Sequence, residues 1–199
     1  DGTEELQKID EETTPMLSDH QDALLLNEKL FARIKAVYDQ RSSLKGEDLR
    51  LTELLYDQFV HEGALLSPQD KEELKKINSE IAVLQTKFTN QVNAGTKAAA
   101  VLVDRVEDLD GLSEEAIARA AEAATQAGKK GKYLLEQANT TRPGYIAELN
   151  NRDLRRRVLE ASLNRCSASD STGTHATITR IGELRATKAK LLGFSSFSA

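Results

Sequence analysis

His61-Glu62 is the pair in this sequence with the most chemical promise. In H-E-x-x-H on a helix, two imidazoles four residues apart hold zinc and the Glu acts on the metal-bound water. Here the run is His61-Glu62-Gly63-Ala64-Leu65, so Leu65 stands where the second ligand belongs. Gly63 would also end the helix inside the motif. One His cannot hold a zinc site, so His61 is assigned a surface or packing role. His20, beside Asp19, and His175, in a Ser/Thr-rich opening, are assigned structural or solvent-facing roles. Cys166 is the single cysteine. It excludes an internal disulfide, suits a reducing compartment, and is expected to be a small residue on a helix, with no base to activate it. No zinc or other cofactor is expected in these 199 residues.

The remaining chemical signals are weaker still. Ser169-Asp170-Ser171-Thr172-Gly173 has one glycine and is followed by His175 rather than a lysine, so it lacks the pattern of a phosphate-cradling loop. Arg155-Arg156-Arg157 and Lys129-Lys130 with Lys132 are compact basic runs without interleaved aromatics, which fits a solvated helix flank. The net charge of −5 gives no pull toward nucleic acid. No apolar run approaches the roughly 20 residues that span a bilayer, so neither nucleic acid nor membrane is an expected partner. Residues alone predict a mainly helical domain with no visible active site.

The elements that would have to position any chemistry are nevertheless clear. Leu74, Ile77, Ile81, Leu84, Phe88 and Val92 recur at steps of three and four, one stripe on a long helix over Ser67 to Gly95. Ser67 and Pro68 suit its start, Asp70 can close a capping box, and Gly95 offers a left-handed stop. Before it, Leu6, Ile9, Met16 and Leu17 predict a helix from about Thr3 to His20 that Pro15 should kink or split. Asn27 caps a helix with Leu30, Phe31, Ile34, Val37 and Tyr38 on one face. A third, Glu47 to Glu62, carries Leu51, Leu54, Leu55 and Phe59 and stops at Gly63. Four helices with short connections pack most economically as an antiparallel bundle.

Beyond residue 95 the pattern changes. Ala98 to Asp104 is apolar without helical spacing and reads as a strand, and Tyr133 to Gln137 as a second. A two-stranded ribbon is marginal in water, so it must lean on helices. Ser113 caps an Ala-rich helix ending at Gly128. Asn139 to Gly144 is turn chemistry before a short helix over Tyr145 to Leu149. Asn151 caps a helix to about Arg165, and a last helix holds Ile178, Ile181, Leu184 and Leu191 before Gly193. The fold class is mainly α, a multi-helix bundle with a small two-stranded β ribbon. Residues 1–95 form the antiparallel bundle portion; residues 96–199 form the ribbon plus helices, packed with the first part as one domain fragment.

Several of these stretches resemble the thimet-oligopeptidase family of zinc metallopeptidases. Leu26 to Ile34 is similar to its "LNxxLFxRI" helix, and Asp48 to Leu66 to a segment ending in "FxxxGxxL". Lys75 to Asn93 resembles its "LNxExxxLxxxFxxN" helix, with Ile77 and Gln91 as departures. Asn139-Thr140-Thr141 with Arg142-Pro143, then Asn151 to Arg165, resembles the peptidyl-dipeptidase branch. Glu183, Arg185, Ala189 and Leu191-Leu192-Gly193-Phe194 match "ExRxxxAxLLGF".

The resemblance implies that the zinc ligands and catalytic Glu lie downstream, outside these residues. The chain is then expected to be an excised, N-terminal, non-catalytic part, inactive alone, walling a channel that admits short peptides. The implied parent removes C-terminal dipeptides by zinc-water attack on the peptide bond, and its zinc belongs to the missing C-terminal catalytic half. The turn bearing Asn139, Arg142 and Tyr145 is the candidate for substrate contact, against a plain turn that satisfies its own backbone. A cytoplasmic location is expected, with the periplasm as the alternative. The rival reading is a free-standing helical module that binds a partner helix in a groove.

Overall fold

The computed structural model describes residues 3–167 and 170–198. Eight α-helices and one two-stranded antiparallel sheet are present among them. The mainly α fold with a small ribbon is as the sequence predicts. Two compact units form. One holds residues 1–87 and 177–199, the other 88–176. This division differs from the expected 1–95 and 96–199 in that the last helix clusters with the first unit.

In the first unit, α1 (Glu4–Leu25) begins where Thr3 accepts from the Leu6 amide. It continues past Pro15 to Leu25 as one helix, so the predicted split does not occur. A proline removes only its own helical bond and crowds the turn before it, a cost of about 3 kcal/mol that tertiary bonds can offset. Two such bonds flank Pro15. Thr86 Oγ1 lies 3.2 Å from Thr14 Oγ1, and Asn78 Nδ2 donates to Asp22 Oδ1 at 2.8 Å. From the first pair to the second, one number rises by 8 and the other falls by 8, which only an antiparallel pair of helices allows. Helix α2 (Glu28–Asp39) starts at Asn27, whose Oδ1 accepts from the Leu30 amide as predicted. A 3-10 turn at Arg41–Ser43 leads to α3 (Gly46–His61). Phe31 stacks on Phe59 and Tyr56, and Tyr38 on Tyr56, joining α2 to α3. Gly63, at φ 94, supplies the left-handed turn that ends α3.

The long helix α4 (Pro68–Ala98) starts as expected, with Ser67 Oγ accepting from the Asp70 amide at 3.2 Å. The box closes differently. The Ser67 hydroxyl donates to the Asp70 carboxylate at 2.7 Å instead of the carboxylate taking a backbone N–H. At the other end Gly95 does not stop the helix, which runs on to Ala98. Gly95 has no left-handed backbone; it is buried, and a Cβ there would lie 2.5 Å from Cys166 Sγ. The glycine is needed for close approach, not for a turn. Cys166 is correspondingly not on a helix but in the turn after it, at φ 63. Helix α8 (His175–Leu191) closes at Gly193, φ 82. Within the first unit it is tied to α4 where Arg180 grips Glu80 through Nε at 2.6 Å and Nη2 at 2.9 Å.

The second unit is built on the ribbon. Strand β1 (Val101–Val103) pairs with β2 (Tyr133–Leu135), Val101 opposite Leu135 and Val103 opposite Tyr133. Both strands are shorter than the sequence suggested, and Ala98 belongs to the end of α4. Helix α5 (Glu114–Gln126) packs on β2, and α7 (Arg152–Leu163) on β1. The fully buried Ala120 and Ala124 let α5 sit close to the strand. Val103, Leu109, Leu135, Leu149, Leu154 and Val158 complete this core. Helix α6 (Arg142–Glu148) begins three residues earlier than predicted, since Pro143 fits a first turn. Gly111, at φ 99, passes so close to the chain after α6 that a Cβ would meet Glu148 O at 2.1 Å.

Candidate functional site

The three residues singled out for substrate contact are dispersed by the fold of the second unit. Asn139 is exposed in the turn before α6. Arg142 opens α6, and its Nη1 donates to Ser162 Oγ on α7 at 2.8 Å. Tyr145 is 7% exposed and belongs to the hydrophobic core. Burial pushes its phenol above the ordinary tyrosine range, while a hydrogen bond with Thr141 pulls the other way. The turn also carries its own bonds. The Arg142 amide donates to Ala138 O at 3.0 Å, and Thr141 Oγ1 donates to Glu136 O at 3.1 Å. Asn139 and the half-buried Arg142 are what this turn offers to a ligand.

The basic run is likewise occupied. Arg155 donates to the carbonyls of Leu149 and Asn150, at the end of α6. Arg156 pairs with Asp153 at 2.6 Å, and Arg157 donates to Leu102 O on β1 at 3.1 Å. Arg156 and Arg157 lie on an exposed flank of α7, as expected, while Arg155 and Arg157 also bond carbonyls at the end of α6 and on β1. Lys132 reaches Asp104 at 2.7 Å across the ribbon ends. Of the loop from Ser169 to Gly173, Ser169 lies outside the described residues. Asp170 accepts from the Thr172 amide at 2.8 Å and hydroxyl at 2.6 Å, which holds its carboxyl below the ordinary range.

His61 takes the packing role assigned to it. Its ring stacks on Phe194 with centroids 4.9 Å apart, and the neighbouring Glu62 carboxylate takes Lys188 Nζ at 3.3 Å. Leu65, at the missing second ligand position, is 61% exposed. Among the described residues no three His, Cys, Asp or Glu side chains converge on a point that could hold a metal ion.

A different constellation, which the sequence reading missed, lies in the first unit. A cleft of about 390 Å³ between α1, α4 and α8 is walled by Leu17, Leu25, Ile81 and Ala82. Its charged members are Asp22, Glu62, Arg185 and Lys188, with Asn78 among its neutral polar ones. Asp22 is 7% exposed, and burial raises its carboxyl above the ordinary aspartate range. The Asn78 bond and the positive charge of Lys188 oppose that rise, while Glu62 and Asp19 add to it. Asp22 Oδ2 and Arg185 Nε are buried without a hydrogen-bond partner. Each such atom typically costs about 1–3 kcal/mol, so the arrangement is expensive to the fold. The Arg185 guanidinium lies over the Phe197 ring at 4.8 Å. A signal for this site was present. Asp22 stands one helical turn before the apolar Leu25 and Leu26, and Asn78 adjoins the stripe at Ile77. A polar residue on an apolar stripe needs a partner.

No family model matches the chain. It is 38% identical over 198 residues to the dipeptidyl carboxypeptidase of Escherichia coli (strain K12), covering 98% of this chain and 29% of that protein. The dipeptidyl carboxypeptidase of Salmonella typhimurium matches with the same identity and coverage. The probable cytosolic oligopeptidase A of Arabidopsis thaliana is 30% identical over 207 residues, covering 98% of this chain. The chain therefore spans less than a third of the length of the relatives it matches. Along the matched residues it is similar to these peptidases, at 38% identity to the two dipeptidyl carboxypeptidases and 30% to the oligopeptidase A.

Proposed function

We propose that this chain is the N-terminal, non-catalytic part of a zinc peptidyl-dipeptidase, a wall of the channel that admits short peptides. The observation that carries this is the coverage. Relatives named dipeptidyl carboxypeptidase match 98% of the chain, yet the match takes up 29% of their length. In this reading the intact parent removes dipeptides from the C-terminus of oligopeptides, with zinc held by residues beyond Ala199. These residues hold no metal and take no step in the hydrolysis. They are inactive alone. Their partners are the C-terminal catalytic half and, in the parent, the peptide substrate. A cytoplasmic location accords with the cytosolic oligopeptidase A among the relatives.

Exposed apolar side chains support the reading. Leu6, Ile9, Met16 and Leu17 on α1 are 48–67% exposed, and Leu51 and Leu54 on α3 are 57% and 48% exposed. The sequence places all six on apolar helix faces, so such faces have room for further protein. The test is the reading frame downstream of Ala199. An in-frame H-E-x-x-H with a later Glu is expected; a stop codon close behind would overturn the proposal.

A further inference from the structure

The cleft between α1, α4 and α8 presents two buried atoms of opposite hydrogen-bonding sense. Asp22 is 7% exposed; its Oδ1 accepts from Asn78, and its Oδ2, an acceptor, has no partner. Arg185 Nε, a donor on the same cleft, has none either. The other two charges are used on each other, Lys188 Nζ lying 3.3 Å from Glu62. Among the charged groups of the lining, one anionic acceptor and one cationic donor therefore remain for a ligand.

We propose that this cleft binds a zwitterion of one or two residues, an α-amino acid or dipeptide, its ammonium on Asp22 and its carboxylate on Arg185. The charges of the lining argue against the simpler ligands. A plain anion would meet Asp22 and Glu62, a plain cation would meet Arg185 and Lys188, and an apolar molecule would leave both unpaired atoms buried. A zwitterion satisfies both at once through charge-assisted bonds, the stronger kind. The apolar wall of Leu17, Leu25, Ile81 and Ala82 can receive a side chain. The volume, about 390 Å³, lies in the usual range for small-molecule sites of about 300–1,000 Å³. Only the residues of this cleft carry the proposal, independently of the peptidase reading.

The test is a calorimetric titration of the chain with L-leucine and glycyl-L-leucine, beside N-acetyl-L-leucine and L-leucinamide, which each lack one charge. At least one zwitterion is expected to bind. Both single-charge analogues should bind at least about tenfold more weakly, as losing one charged hydrogen bond requires. Asp22→Asn and Arg185→Gln, with melting curves to verify folding, should each weaken the zwitterion by a similar factor. Absence of zwitterion binding at millimolar concentration would overturn the proposal. So would equal binding of the single-charge analogues to the unaltered protein, a comparison that needs no variant to fold.

Discussion

Single atoms decide more of this fold than composition suggests. Gly95 sits in a helix, where alanine is normally better by about 1 kcal/mol. Yet a Cβ there would lie 2.5 Å from Cys166 Sγ, with the Cys166 backbone at 3.4 Å and beyond. Gly95→Ala should therefore destabilise by about 1–3 kcal/mol, the range for overpacking. In a Cys166→Ala background the sulfur is gone and the same change should turn neutral or stabilising. Urea melts of the four proteins measure the sign, and additive effects would show that the sulfur is not the obstacle. Asp22 makes a pH prediction. Its carboxyl is raised by burial, so the native state keeps that proton to higher pH than the unfolded chain does. Stability from this group is greatest below the ordinary aspartate value of 3.8 and falls as pH rises through the shifted value. Asp22→Asn should thus gain stability relative to the parent as pH rises from 3.5 to 7, read from melts across that range. A constant difference would mean that the carboxyl is not perturbed.

Among the elements, those whose evidence lies in the local sequence were legible, and those set by distant residues were not. The caps at Asn27, Ser113 and Asn151 were readable because a side-chain oxygen meets N–H groups two or three residues on. The stops at Gly63 and Gly193 were readable because their positive φ follows from local geometry. The role of Gly95 inside α4 was not, since what requires a glycine there is Cys166, which is remote in sequence. Nor was the continuation of α1 past Pro15, which is accompanied by bonds to Thr86 and Asn78. The ribbon was placed because Val-Leu-Val breaks the helical period, although both strands are shorter than the sequence suggested. Leu154 on α7 is 2% exposed in the core that supports β1 and β2. Leu154→Ala should cost about 2–5 kcal/mol. Hydrogen exchange should accelerate at the amides of Val101–Val103 and Tyr133–Leu135. Unchanged protection there would show that the ribbon does not depend on its helices.

For the molecule as a whole, no three His, Cys, Asp or Glu side chains among the described residues converge on a metal-holding point. His61 packs on Phe194, and Leu65 stands where a second imidazole would be. The candidate cleft as a whole was not legible, because its charged residues and Asn78 lie on α1, α4, α8 and the turn after α3, and no local spacing connects them. Family likeness was legible in ordered fragments such as the "ExRxxxAxLLGF" run. Our central claim is that these residues shape a peptidase whose chemistry lies elsewhere in its chain. The direct measurement compares the whole reading frame, loaded with zinc, with the 199 residues alone, on an N-terminally blocked peptide with a free C-terminus. Mass spectrometry of the products should show successive C-terminal dipeptides from the former and none from the latter. Dipeptide release by the 199 residues alone, or none by the whole protein, would contradict it.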